Sequence, residues 1–86
     1  VRPIVAVIDT GLVTDHPDFV GQTVPGFDFI RDPASAGDGG GIDSNPDDLR
    51  SGDSQPSFHG THVAGTVGAA TFDNAGAAGV APMALI

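Results

Sequence analysis

Five apolar residues in succession, Ile4-Val5-Ala6-Val7-Ile8, run without polar alternation into Asp9-Thr10-Gly11. A strand wetted on one side alternates apolar and polar positions. An unbroken apolar run instead predicts a strand covered on both faces, as in a parallel sheet flanked by helices, so the fold class expected here is α/β. In open parallel sheets, ligands and chemistry gather at the carboxyl ends of the strands. Asp9 stands at such an end, although an Asp before Gly11 also suits a plain turn.

The second informative stretch is His59-Gly60-Thr61-His62-Val63-Ala64-Gly65-Thr66-Val67-Gly68-Ala69. It predicts a helix that is small and apolar almost all round, the pattern of a helix enclosed by its neighbours. Gly60, Gly65 and Gly68 each disfavour a helix interior by about 1 kcal/mol relative to Ala, so close approach of other backbone is expected to offset them. His59 lies at the head of this helix, where the dipole disfavours imidazolium and a facing carboxylate favours it. Such opposed influences suit a general base. Asp9 and His59 together can form the orienting half of a hydrolase triad, the carboxylate accepting from one ring nitrogen and fixing the tautomer. The Thr10 hydroxyl either bonds the Asp9 carboxylate or closes a turn.

At these residues the chain resembles the subtilisin-like serine peptidases, or subtilases. Ile8-Asp9-Thr10-Gly11, followed by His16-Pro17-Asp18-Phe19, is similar to the family's aspartate motif, and His59-Gly60-Thr61-His62-Val63-Ala64-Gly65 to its histidine motif. The likeness continues through Gly79-Val80-Ala81-Pro82 and is loose only from about 30 to 58. It implies a subtilisin-like parallel sheet flanked by helices, represented by its front part, with residues 1–86 a partial catalytic domain. It also implies a serine endopeptidase acting on polypeptide substrates, with Asp9 and His59 as two members of an Asp, His, Ser triad. His62 becomes a buried, hydrogen-bonded structural residue by the same comparison, and Asp18 shares a calcium ion with Asn74.

The nucleophile is not apparent. Ser35, Ser44, Ser51, Ser54 and Ser57 all precede His59, and none lies in Gly-x-Ser-x-Gly or in the family's Gly-Thr-Ser-Met-Ala. Asn45 and Asn74 are in the wrong contexts for an oxyanion-hole asparagine. A parallel sheet covered by helices usually needs considerably more than 86 residues. The expected partner is therefore the remainder of the same protease, as a separate chain or a missing segment. Val1-Arg2-Pro3 leads directly into the strand, so any signal or propeptide is expected to have been removed.

Three Lys plus Arg stand against eleven acids, a formal charge of −8, which argues against nucleic acid or an anionic membrane as partner. No apolar run approaches the roughly 20 residues needed to span a bilayer. There is no cysteine, hence no disulfide or thiolate chemistry. His59-x-x-His62 lacks the Glu of the zinc-peptidase helix, and metal binding there is not expected.

Between the two motifs, residues 12 to 23 read as a polar connection in which Pro17 restricts His16 to an extended or turn geometry, and His16 is expected at the surface. Val24 to Ile30 reads as a short strand with Phe27 and Phe29 on one face. No period is sustained from Arg31 to Ser57, and a structureless loop of that length is uncommon unless something functional orders it. Thr71 to Ala78 reads as turns, and Ala84-Leu85-Ile86 as the start of the next buried strand. Asp32, Asp38, Asp43, Asp47 and Asp48 crowd the long loop among glycines. Such carboxylates repel unless solvated or bridged, and calcium bridges them with six to eight oxygens. The expectation is Ca2+ held by some subset of these five, Asp38 and Asp43 first, with a solvated acidic loop as the bland alternative. The resemblance favours calcium and a secreted, bacterial protein. Two rivals remain: an aspartic peptidase, which shares Asp9-Thr10-Gly11 but needs a second such motif, and a noncatalytic calcium-binding or complementing fragment of a nicked protease.

Overall fold

The computed structural model describes residues 1–48 and 57–86. Its helical elements are a 3-10 turn at Pro17–Phe19, a short helix α1 at Pro33–Ala36 and the longer helix α2 at His59–Gly68.

The Ile4 to Ile8 segment is extended, but the described residues pair it only at its beginning. Ile4 forms a parallel bridge with Leu85, through Val5 N–H to the Leu85 carbonyl at 2.8 Å and Leu85 N–H to the Pro3 carbonyl at 2.8 Å. Ile86 repeats the pattern on its other side, donating to Gln22 and accepting from Val24, both at 2.8 Å. Leu85-Ile86 thus lies between the first extended segment and the Val24 segment, and the expected next strand does start at Ala84 to Ile86. The expected burial of the first strand on both faces is not met within the described residues. Ile4 is 67% and Ile8 95% exposed, because no described element covers them.

The Val24 to Ile30 strand is likewise reduced to an antiparallel bridge between Asp28 and Asp43. Phe27 and Phe29 do share a face, their ring centroids 4.8 Å apart. The acidic loop is more regular than its composition suggests. Asp32 caps α1 by accepting from Ala34 N–H, Pro33 opens the helix, and Gly37 ends it in the left-handed conformation. The order Asp, Pro, then Gly is a start and stop signal, and the absence of apolar periodicity concealed it. Residues 49–56 of that loop lie outside the described residues.

Helix α2 begins at His59 as expected and ends at Gly68. It is not enclosed all round by the described residues. Gly60, Ala64 and Gly68 form one buried stripe, while His62 and Thr66 are exposed. The stripe is where other elements come close, through the Ile86 side chain at Gly68 and through backbone at Gly60. A Cβ on Gly68 would lie 3.1 Å from Ile86 Cδ1, and one on Gly60 would overlap the Gly11 carbonyl oxygen. Two of the three helix glycines are therefore offset by close contact. Gly65, whose Cβ would meet only Phe19 Cζ at 3.9 Å, is not.

The far end of α2 is tied to the first segment through Gln22 and Arg2. Buried Gln22 donates from Nε2 to the carbonyls of Gly68 at 2.7 Å and Pro82 at 2.8 Å. The Arg2 guanidinium donates to Gln22 Oε1 at 2.9 Å and to the Gly21, Met83 and Ala84 carbonyls. A buried carbonyl left without a donor costs about 1–3 kcal/mol, so this cluster closes the end of the fold opposite Asp9 and His59.

Candidate active site

Asp9 follows the first extended segment and His59 opens α2. Asp9 Oδ1 and His59 Nδ1 are 2.7 Å apart. The Asp9 side chain is 16% and the His59 side chain 68% exposed, so the carboxylate is sheltered and the imidazole faces out. With Nδ1 engaged by the carboxylate, Nε2 is the ring nitrogen left to take a proton.

Thr10 supports the pair through backbone and hydroxyl alike, and the hydroxyl's bond to the Asp9 carboxylate, one of the two expectations, makes a minor contribution to holding that carboxyl low. Its backbone N–H donates to Asp9 Oδ1 at 2.7 Å, and its hydroxyl accepts from Gly60 N–H at 3.0 Å. Close by on the helix, Thr61 Oγ1 accepts from Val13 N–H at 3.0 Å. The aspartate turn and the helix head are thus joined by two bonds besides that of Asp9 and His59. The bond to His59, followed by the Thr10 N–H, holds the Asp9 carboxyl below the usual carboxylate range, against a smaller opposing effect of burial.

The other histidines play no part in this pair. His16 Nδ1 accepts from Asp18 N–H at 3.1 Å and caps the 3-10 turn from an exposed position. His62 is exposed rather than buried among the described residues.

The candidate metal ligands do not gather into one cluster. Among the described residues, no group of three or more acidic or histidine side chains is placed to hold an ion. Asp32 is engaged by the α1 cap and by Ser35 Oγ. Asp47 Oδ1 accepts from the Thr14 hydroxyl and N–H. Asp48 takes Ser57 N–H at 3.3 Å on one oxygen and Phe58 N–H at 2.8 Å on the other. Asp38 and Asp43 do approach each other. Both lie around Gly40, with Asn45 donating its side-chain N–H to Asp38 at 2.9 Å and its backbone N–H to Asp43 at 2.8 Å.

Asp18 differs from all of these. It is 7% exposed, and its Oδ2 accepts from Ala77 N–H at 2.9 Å. Among the described residues, its Oδ1 is buried without any hydrogen-bond partner. The turn that carries Asn74 folds over it: Asn74 and Gly76 both have positive φ, and only a residue without Cβ fits at Gly76 beside the carboxylate. An orphaned buried carboxylate oxygen under a loop of backbone fits a cation better than any arrangement of the acidic loop does.

Comparison with known proteins places these residues in a wider setting. The family model of the subtilase family matches residues 2–86. An extracellular protease of Xanthomonas campestris pv. campestris is 45% identical over 91 residues, covering 91% of this chain and 15% of that protein. The major intracellular serine protease of Bacillus subtilis is 46% identical over 80 residues, covering 93% of this chain and 21% of that protein. Among solved structures, a protease from Pseudoalteromonas arctica superposes with a TM-score of 0.83 at 42% identity, covering 96% of this chain and 27% of that one. The chain therefore spans between about a seventh and about a quarter of these relatives.

The depressed Asp9 value gives a pH prediction with a definite sign. A carboxyl whose folded-state pKa is lowered contributes stability above the ordinary aspartate range and loses it as pH falls through the lowered value. Carbon-13 NMR of the Asp9 carboxyl should show a lower midpoint in the parent protein than in His59→Ala. Equal midpoints would contradict the hydrogen bond as the principal cause.

Proposed function

The chain belongs to the subtilase family, and from that premise we propose that residues 1–86 are the front part of a serine endopeptidase, supplying the aspartate and histidine of its triad. The observation that carries this reading is the 2.7 Å bond between Asp9 Oδ1 and His59 Nδ1, with the imidazole open to solvent. In the proposed reaction, His59 Nε2 takes the proton from a serine hydroxyl supplied from outside residues 1–86 as its oxygen attacks the peptide carbonyl. Asp9 stabilises the imidazolium that results. His59 then returns the proton to the leaving amine, and water hydrolyses the acyl-enzyme by the same route. The oxyanion-hole donor also comes from outside these residues. This division of labour among Asp, His and Ser is the established chemistry of subtilisin-type enzymes, and the geometry of Asp9 and His59 supports carrying it over to this chain.

The substrate is a polypeptide. Relatives named as extracellular proteases, in Xanthomonas campestris and Dichelobacter nodosus, favour a secreted bacterial enzyme, while the intracellular relative of Bacillus subtilis supports the same chemistry inside the cell. No helix among the described residues is long and apolar enough to cross a membrane. Calcium belongs to the same proposal. The buried Asp18 carboxylate and the turn carrying Asn74 are the residues best suited to hold it, with Asp38 and Asp43 as the pair the acidic loop offers. Bound there, it would supply charge for the Asp18 oxygen that no donor satisfies and brace the turn after α2. The noncatalytic alternative, a calcium-binding fragment that complements the rest of a nicked protease, uses the same residues without turnover of its own.

Two outcomes follow. In the active enzyme, His59→Ala should lower kcat by several orders of magnitude; near-parental turnover of a peptide substrate would refute the triad reading. Chelation should lower the thermal midpoint of the parent and leave that of Asp18→Ala much less changed, because an ion bound only to the folded form stabilises it by mass action. If chelation leaves the parent's midpoint unmoved, calcium has no structural role.

A further inference from the structure

Helix α2 lacks an N-terminal cap of its own. Its N-cap residue, Phe58, makes no side-chain capping bond and sits in the left-handed region at φ 57 and ψ −1, where a bulky side chain is strained. The N–H groups at this end still need acceptors. His59 N–H finds the Ser57 hydroxyl at 3.2 Å, and Gly60 N–H finds Thr10 Oγ1. Those of Ser57 and Phe58 both go to Asp48.

Asp48 is itself fixed. It is 9% exposed, and its backbone N–H donates to the Leu12 carbonyl at 3.0 Å, while Leu12 N–H donates to Pro46 at 2.9 Å. That places Asp48 beside the chain that leaves the aspartate turn. Its side chain spans from there to the residue preceding His59. The Asp9 turn and the head of α2 are therefore joined a fourth time, through a carboxylate whose two oxygens accept from two successive backbone N–H groups.

We propose that Asp48 is a positioning residue for the catalytic pair. It anchors the backbone of Ser57 and Phe58, the two residues that lead into α2, and it thereby holds His59 at hydrogen-bonding distance from Asp9. Each oxygen accepts from a backbone donor, which favours this role over the ion ligation that composition suggested for Asp48. The inference rests on the peptidase reading above. It goes beyond it by naming a residue that touches neither substrate nor the reacting atoms.

The test compares Asp48→Asn and Asp48→Ala with the parent in the active enzyme, with His59→Ala alongside. Asn retains an acceptor for Phe58 N–H, and its kcat should stay within about threefold of the parent. Ala removes both acceptors, and a displacement of about 1 Å at a catalytic group can cost up to about a hundredfold, so kcat should fall about ten- to hundredfold with KM within about twofold. The loss should be the same at low and at saturating calcium. Parental kcat in Asp48→Ala, a loss confined to KM, or recovery on adding calcium would each overturn the proposal, the last by assigning Asp48 to an ion. Should Asp48→Ala fail to fold, the amide proton of Phe58 decides. A charge-assisted bond puts it downfield in the parent and shifts it upfield in Asp48→Asn, and an unmoved signal counts against the role. Full activity in His59→Ala would instead sink the peptidase reading itself, which keeps the two failures apart.

Discussion

The contact between Gly60 and the backbone of Gly11 governs how far Asp9 stands from His59. Any side chain at Gly60 would overlap the Gly11 carbonyl and approach Asp9 Cβ to 3.2 Å. Gly11 in turn has φ +109, and a Cβ there would lie 2.8 Å from the Pro46 carbonyl and 3.1 Å from Asp48 N. Three stretches of backbone, the aspartate turn, the Pro46 to Asp48 segment and the head of α2, thus meet with no side chain between them. Backbone has far fewer alternative positions than a packed side chain, so a geometry built this way is set by hydrogen bonds rather than by apolar fit. The bonds are present: Thr10 to Gly60, Thr61 to Val13, Leu12 to Pro46 and Asp48 to Phe58.

The same reliance on backbone donors explains how a chain of charge −8 orders so many acids without Lys or Arg partners among the described residues. Asp28, Asp32, Asp38, Asp43 and Asp73 each accept the backbone N–H two residues on. Asp residues closing turns on their own backbone need no cation. This weakens the case that repulsion alone demands calcium in the acidic loop. Asp18 stands apart because one of its oxygens is buried with nothing among the described residues to accept from. The charge run in the sequence pointed to the loop. The resemblance pointed also to Asp18 with Asn74, and burial of the Asp18 oxygen, invisible in composition, favours that proposed site over the loop because it removes the alternative of solvation.

What could be read from the chain divides along the same line. Asp9 and His59 were legible because each sits at the edge of an apolar element within a dense motif, and the start of α2 and the turn to extended backbone at Ala84 followed from local pattern. The short helix α1 was written in Asp32, Pro33 and Gly37 but had no apolar period to announce it. The roles of Asp48, Gln22 and Arg2 were not legible, since each depends on bonds to residues distant in sequence. The exposure of Ile4, Ile8 and His62 was hidden for a related reason. Their apolar and motif contexts describe a covered position, and no described residue covers it.

Turnover by Gly60→Ala, measured in the active enzyme beside Gly65→Ala, tests the central claim most directly. Both changes place the same methyl on α2 and raise its helix propensity equally, but only the one at Gly60 meets backbone of the aspartate turn. Forcing Asp9 and His59 apart by about 1 Å should cost about two orders of magnitude in kcat for Gly60→Ala, while Gly65→Ala stays close to the parent. Parental kcat in Gly60→Ala would contradict the account, because the pair would then hold its geometry without the contact on which it is said to depend.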